Sequence, residues 1–376
     1  MKKIIIILLL LILIAPFGAY AQNHEYDQNL PRPDYVKAKV LEVETYGGQM
    51  DEFGLAPLTQ QVNIRILSGK HKGDEILVDH MVQGMMGGEM KLKKGDQVIV
   101  YVDENPSLAE SPDGAPLFNI ADYNRSFLMI WLVVLFAALL VIVGGMKGLK
   151  SLLSLIITIV LIFAVLFPLT LRGFNPLLVA IVLSVVICLI VFRIIAGKSI
   201  KSISGAVGTI IGVAIAGIIA MVVGNLVHLS GMSSEEARIL LYSMDLKINY
   251  QGLLFASILI GSLGAVMDVG MSIASTVDEV AKVHPEANFK NLFRAGMNVG
   301  RDVLGTMSNT LILAYTGSAL PLLLLFVANN VSLVKAFNME LIATEVIRAL
   351  AGSIGLVLCI PITAFVAALM YHRKLS

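Results

Sequence analysis

The sequence predicts an α-helical polytopic membrane protein, with about seven spans after a signal peptide and a small exported β-barrel-like (OB/SH3-type) N-terminal domain. Three observations predict it. The 376-residue chain is 57% hydrophobic and 15% charged, and its mean hydropathy is +0.82, a balance outside the range of soluble globular domains. Long apolar runs fill the chain after residue 126, whereas residues 22–125 hold many of the charges in short alternating segments.

Lys2 and Lys3 precede an apolar run from Ile4 to Ile14, and Gly18-Ala19-Tyr20-Ala21 offers an A-x-A cleavage arrangement. Residues 1–21 therefore read as a signal peptide, or an uncleaved anchor, that exports the segment after it. In 22–125, Val36, Ala38 and Val40 alternate with lysines; Val62, Ile64 and Ile66 alternate in the same way, as do Val98, Val100 and Val102. Ile76–Val78 is a shorter candidate strand. Turn residues at 68–74 and 93–96 separate these strands. His80, Met81, Met85, Met86 and Met90 form a Met/His cluster around Gly84 and Gly87-Gly88. Soft thioethers outside the cytoplasm can bind Cu(I), but the irregular spacing in a chain with 17 methionines favours a loop or an apolar contact, and no metal or cofactor is assigned. Cys188 and Cys359 both lie in apolar runs, which favours small buried hydrophobes over a disulfide or a thiolate site.

The transmembrane helical domain, 126–376, divides into spans at 127–146, 152–171, 176–196, 203–227, 251–275, 304–327 and 349–371. With the N-terminal domain outside, the inner connections carry eleven Lys or Arg residues against five in the outer ones. That bias places the C-terminus in the cytoplasm of a multi-pass protein of the bacterial cytoplasmic membrane. Ser233 and Glu236 offer a capping box for a short amphipathic helix at the outer interface. On the inner side, Phe289, Leu292, Phe293 and Met297 suggest a second interfacial helix opened by Pro285. Gly317-Ser318-Ala319-Leu320-Pro321 is a candidate break in the sixth span.

From Tyr123 to Ser234 there is no Asp or Glu, so acidic chemistry is confined to the second half. On a helix turning about 100° per residue, Ser257, Gly261, Gly264, Asp268, Ser272, Ser275 and Glu279 share one narrow sector. Asn298, Asp302, Gly305, Asn309 and Thr316 share another in the next span, with Arg301 beside Asp302. These antiparallel stripes can face each other and form a polar seam. An Asp at mid-span costs about 2.5–3.5 kcal/mol on insertion scales, and such residues often mark ion or solute paths. The structural alternative stays open: Asp268 tied to Arg294 or Arg301, and Asn309 as an interhelical clasp.

No H-E-x-x-H, G-x-S-x-G or Walker loop is present, so the chain does not read as an enzyme. Asp268 with Asp302 is the only pair available for a protease dyad, and their depths differ. The near-zero net charge gives no argument for nucleic acid.

GAVMDVGMSIASTVDEV (Gly264–Val280) and MNVGRDVLGTMSNTLILAYTGSALP (Met297–Pro321) resemble the YibE/YibF family of multi-pass bacterial membrane proteins. The resemblance covers most of the chain. It implies a transporter or permease and carries over no ligand. Asp268, Ser272, Asn298, Arg301, Asp302, Asn309 and Thr316 match the hallmark segments. The expectation is a secondary transporter or permease for an unidentified small solute or ion. Asp268, Ser272, Asn309 and Thr316 line its path, and Asn298, Arg301 and Asp302 form an inner gate. A channel, or a structural or regulatory protein whose exported domain docks a partner, is the alternative. The expected partners are the lipid bilayer, the solute, and a second copy or a related membrane protein.

Overall fold

A computed structural model describes residues 34–47, 58–82, 90–104, 106, 114–244 and 248–375. The predicted signal peptide, Met85 and Met86 lie outside the described residues. The chain divides into two compact units, one running to Ala138 and one from Leu139.

The first unit is built on five strands: β1 (Asp34–Tyr46), β2 (Leu58–Ile66), β3 (Glu75–Val82), β4 (Gln97–Asp103) and β5 (Leu117–Tyr123). All pairings are antiparallel, in the order β3-β2-β1-β4-β5. The predicted alternation sets the core: Val36, Ala38, Val40, Val62, Ile64, Ile66, Val98, Val100 and Val102 all point inward and are buried. The sheet curls until β3 nears β5, but these edges share no ladder among the described residues, so the barrel-like domain expected is a half-barrel. Gln60 is 1% exposed. Its amide clasps the backbone of Leu92, donating to the carbonyl at 3.2 Å and accepting from the N–H at 2.8 Å. His80 is engaged with the Met90 carbonyl at 2.9 Å.

Five helices are long and apolar enough to cross a membrane, or six if one bent pair counts as a span. They are α1 (Ser126–Leu171), α2 (Pro176–Ala196), α3 (Ile200–Leu226), α5 (Tyr250–Val283) and α9 (Glu340–Leu375). The bent pair is α6 (Phe289–Ser318) and α7 (Leu320–Ala328), at 61°. Two short helices, α4 (Glu235–Met244) and α8 (Leu333–Phe337), complete the set. The sequence divides α1 into two spans, and the 46-residue run is not straight. Gly145 leaves helical geometry at φ 53°, ψ −133°. A Cβ on Gly148 would stand 1.9 Å from the Leu140 carbonyl oxygen; in a straight helix those residues lie about 12 Å apart, so the chain bends sharply here. A π turn at Ile162–Leu166 precedes Pro168, giving room where the ring would otherwise meet a carbonyl of the preceding turn.

Two local features differ from the sequence expectation. Ser234, not Ser233, caps α4, accepting from the Ala237 N–H at 3.2 Å. The stretch around Phe289 is no separate interfacial helix; Asn288 caps it and it runs on as the first turns of α6.

In the second unit α5 is central, and α2, α3, α6 and α9 pack around it. Small residues bring backbones together, the usual device where lipid removes the hydrophobic drive between helices. A Cβ on Gly212 would meet the Gly355 carbonyl at 2.8 Å, and one on Gly355 would meet that of Gly212 at 2.6 Å. Cys188 and Cys359 are fully buried and unpaired.

Candidate functional site

On α5, Leu259, Val266, Ile273 and Val277 are buried. Ser257, Gly261, Gly264, Asp268 and Ser272 lie on the opposite side and are all exposed. The predicted stripe therefore exists, and it opens outward. A Cβ on Gly264 would find nothing within 4 Å. The Ser272 hydroxyl donates to the Asp268 carbonyl at 2.8 Å, while the Asp268 carboxylate has no partner among the described residues. Neither Arg294 nor Arg301 pairs with it.

The α6 stripe departs from expectation. Leu292, Gly296, Gly300 and Leu311 are the buried positions. A Cβ on Gly296 would meet Ala364 and Val277 at 3.0 Å, and one on Gly300 would meet Ile360 at 2.3 Å. Helix α6 is thus held by both α5 and α9 through its glycine face. Asn298, Asp302, Gly305, Asn309 and Thr316 fall about 180° from that face and are exposed with Arg301. The two polar stripes do not face each other. None of these α6 side chains makes a hydrogen bond or ion pair among the described residues. Exposed, unpartnered polar groups along a span need water, solute or a second chain rather than lipid.

The predicted break is present. Helix α6 ends at Ser318, Ala319 donates to the Tyr315 and Thr316 carbonyls at 3.1 and 3.2 Å, and Pro321 takes the first turn of α7, where its missing N–H costs nothing. The Tyr315 hydroxyl lies over the α5 stripe, 2.7 Å from where a Gly261 Cβ would be.

Beside this break lies an open cavity of about 350 Å³, bordered by α4, the start of α5, the α6–α7 bend and the start of α9. Its lining includes Tyr250, Ser257, Ser318, Thr344, Glu345 and Arg348. Ser257 is also the first member of the α5 stripe, so the cavity opens at the stripe's end. Glu340 fixes one wall, accepting from the Ser230 and Gly231 N–H groups at 2.6 and 3.1 Å. A Cβ on Gly231 would meet the Tyr250 carbonyl at 2.4 Å, so that wall requires glycine. Arg348 reaches Glu345 at a long 3.6 Å. The Tyr250 hydroxyl, Thr344 Oγ1 and Arg348 Nε are buried without a partner among the described residues, each carrying a desolvation cost of about 1–3 kcal/mol. The sequence reading missed this cavity. Its signal was present in Leu341, Thr344, Glu345 and Arg348, spaced 0, 3, 4 and 7 on one face of α9.

A second missed residue is Asp278, beside the Glu279 assigned to the stripe. Asp278 is 8% exposed. Its Oδ1 accepts from the Tyr371 hydroxyl at 2.5 Å and its Oδ2 from Lys282 at 2.8 Å. It clasps α5 to α9. Among the described residues no group of three or more His, Cys, Asp or Glu side chains is arranged to hold a metal.

A family profile described as YibE/F-like protein matches residues 132–373, and one described as the YibE/F family N-terminal domain matches residues 34–111. No curated protein and no solved structure matches the chain.

Proposed function

The chain belongs to the YibE/F family, and on that premise we propose that it is a secondary transporter or permease of the bacterial cytoplasmic membrane for a small solute. One observation carries the reading: an unpartnered carboxylate, Asp268, on an open polar face of α5 that begins at a cavity with polar groups in its wall, beside a broken helix. Broken helices expose backbone polar groups, and transporters build solute sites from them. Asp268 is the coupling or solute-binding carboxylate and Ser272 lies below it. Tyr315, over Gly261, is the outer gate.

In this reading α1 crosses twice. At 1.5 Å per residue a 46-residue run is about 69 Å long, twice a ~30 Å hydrocarbon core, and the bend at Gly145 divides it. With α2, α3, α5, the α6–α7 pair and α9 this makes seven crossings, an extracytoplasmic N-terminal domain and a cytoplasmic C-terminus, in keeping with the Lys/Arg bias. The test is a deletion strain complemented with wild type or Asp268→Asn and compared across ions and metabolites. Asp268→Asn is expected to insert normally and to fail to complement. Full complementation removes Asp268 from the mechanism.

A second reading concerns α6. Asn298, Asp302, Gly305, Asn309, Ile312 and Thr316 are exposed and alternate four and three apart, the spacing of a coiled-coil seam. Arg301 beside Asp302 gives a self-complementary pair across a two-fold axis. This supports a second copy covering the outward face, with Asn298, Arg301, Asp302, Asn309 and Thr316 at the junction of two chains instead of inside one. Gly305→Cys, oxidised in native membranes, is expected to give a disulfide-linked dimer; a monomer throughout rejects the second copy.

A further inference from the structure

We infer that the cavity beside the α6–α7 break is a binding site for a small zwitterion of the α-amino acid type with an aliphatic side chain. Tyr250 and Thr344 are only 5% and 3% exposed, their hydroxyls have no partner among the described residues, and both line the cavity. The Arg348 Nε is equally unpartnered among the described residues, and the one ion pair recorded there for the guanidinium is its 3.6 Å approach to Glu345. Most of its donor capacity is unused. A planar guanidinium with free donors fits a carboxylate.

Charge decides between ligand classes. Glu236 and Glu345 stand in the lining with Arg348, two carboxylates to one guanidinium. A simple anion would enter a net negative site. A simple cation would leave the Arg348 donors empty and sit beside a like charge. A zwitterion places its carboxylate on Arg348 and its ammonium on Glu345 or Glu236. Leu240, Leu253, Leu254, Leu322 and Leu341 supply an apolar part of the wall and receive an aliphatic side chain. The 350 Å³ volume is near the lower end of small-molecule sites, roughly 300–1,000 Å³.

The link to transport rests on the permease reading above, whereas the binding does not, so binding is measured apart from flux. Full-length protein in lipid nanodiscs is titrated calorimetrically with L-alanine, L-valine and L-leucine, and then with N-acetyl-L-leucine, L-leucinamide and 4-methylpentanoate. At least one free amino acid is expected to bind saturably. The three analogues, each lacking one charge, are expected to bind more than about tenfold weaker, as loss of a charge-assisted hydrogen bond implies. Arg348→Gln is expected to lose affinity by a similar factor. Thr344→Val keeps the shape and removes an unpartnered hydroxyl, so it is expected to melt no lower than wild type while binding several-fold weaker. Silence of all three amino acids, equal binding of the analogues, or undiminished binding by a folded Arg348→Gln or Thr344→Val protein each overturns the assignment. Binding without flux in vesicles keeps the site and removes the permease reading.

Discussion

Two glycine-to-alanine substitutions measure how tightly each face of the bundle is covered. Both carry the same gain in helix propensity, about 0.8–1 kcal/mol, so the difference between them isolates the contact made by the new methyl group. At Gly355 a Cβ would stand 2.6 Å from the Gly212 carbonyl oxygen and 2.7 Å from the Ala216 Cβ. Both neighbours are backbone or Cβ atoms, which cannot rotate away. Carbon pairs settle at about 3.5–4.0 Å, so α3 and α9 must part by about 0.8 Å, at an overpacking cost of about 1–3 kcal/mol. At Gly264 the added methyl meets nothing within 4 Å, and Gly264→Ala is expected to be neutral or stabilising by up to about 1 kcal/mol. The assay is unfolding in mixed micelles with a rising fraction of SDS, on protein extracted from membranes in mild detergent. Gly355→Ala is expected to fall below Gly264→Ala by about 1–3 kcal/mol. Equal destabilisation by both would mean that something presses on the α5 stripe as closely as α9 presses on α3, and the open path would be refuted.

Other substitutions test the clasps. Tyr371→Phe leaves an Asp278 oxygen unpartnered between α5 and α9 and is expected to cost about 1–3 kcal/mol in the same micelle assay; no change would remove the clasp. Gln60→Met leaves both backbone groups of Leu92 without their side-chain partner, so the half-barrel is expected to lose about 2–4 kcal/mol, read as faster limited proteolysis of the N-terminal unit in the full chain. Unchanged proteolysis would show that the pair contributes nothing.

Much of this architecture was legible in the sequence, for definite physical reasons. A strand buried on one face must alternate, so Val36, Ala38 and Val40 declared their side at once. How far the sheet curls depends on its bulges and twist, which carry no such pattern, and the expected barrel is open. The α6–α7 break was legible because Pro321 and Gly317 punctuate an otherwise apolar run. The orientation of α6 was not. Polar residues in a span are expected to turn inward, which makes Asn298, Asp302 and Asn309 the natural choice of packing face. Gly296 and Gly300 took that face because only they admit Ile360 and Ala364 so closely. The cavity was hidden for another reason: only its α9 wall shows a local spacing, and its other walls come from separate segments between Gly231 and Leu322 that no spacing joins to it. Asp278 was overlooked because Glu279, one residue on, fitted the stripe.

The proposed path requires that water reach the polar face of α5 within the membrane. The most direct measurement is the reaction of Gly264→Cys with a membrane-impermeant maleimide, in membranes oriented with the N-terminal domain outward and in inverted ones. The background is silent, because Cys188 and Cys359 are both 0% exposed. Labelling of Gly264→Cys is expected from at least one side, with none in the unsubstituted chain. Complete protection from the aqueous reagent on both sides, with labelling by a lipid-soluble maleimide intact, would contradict it.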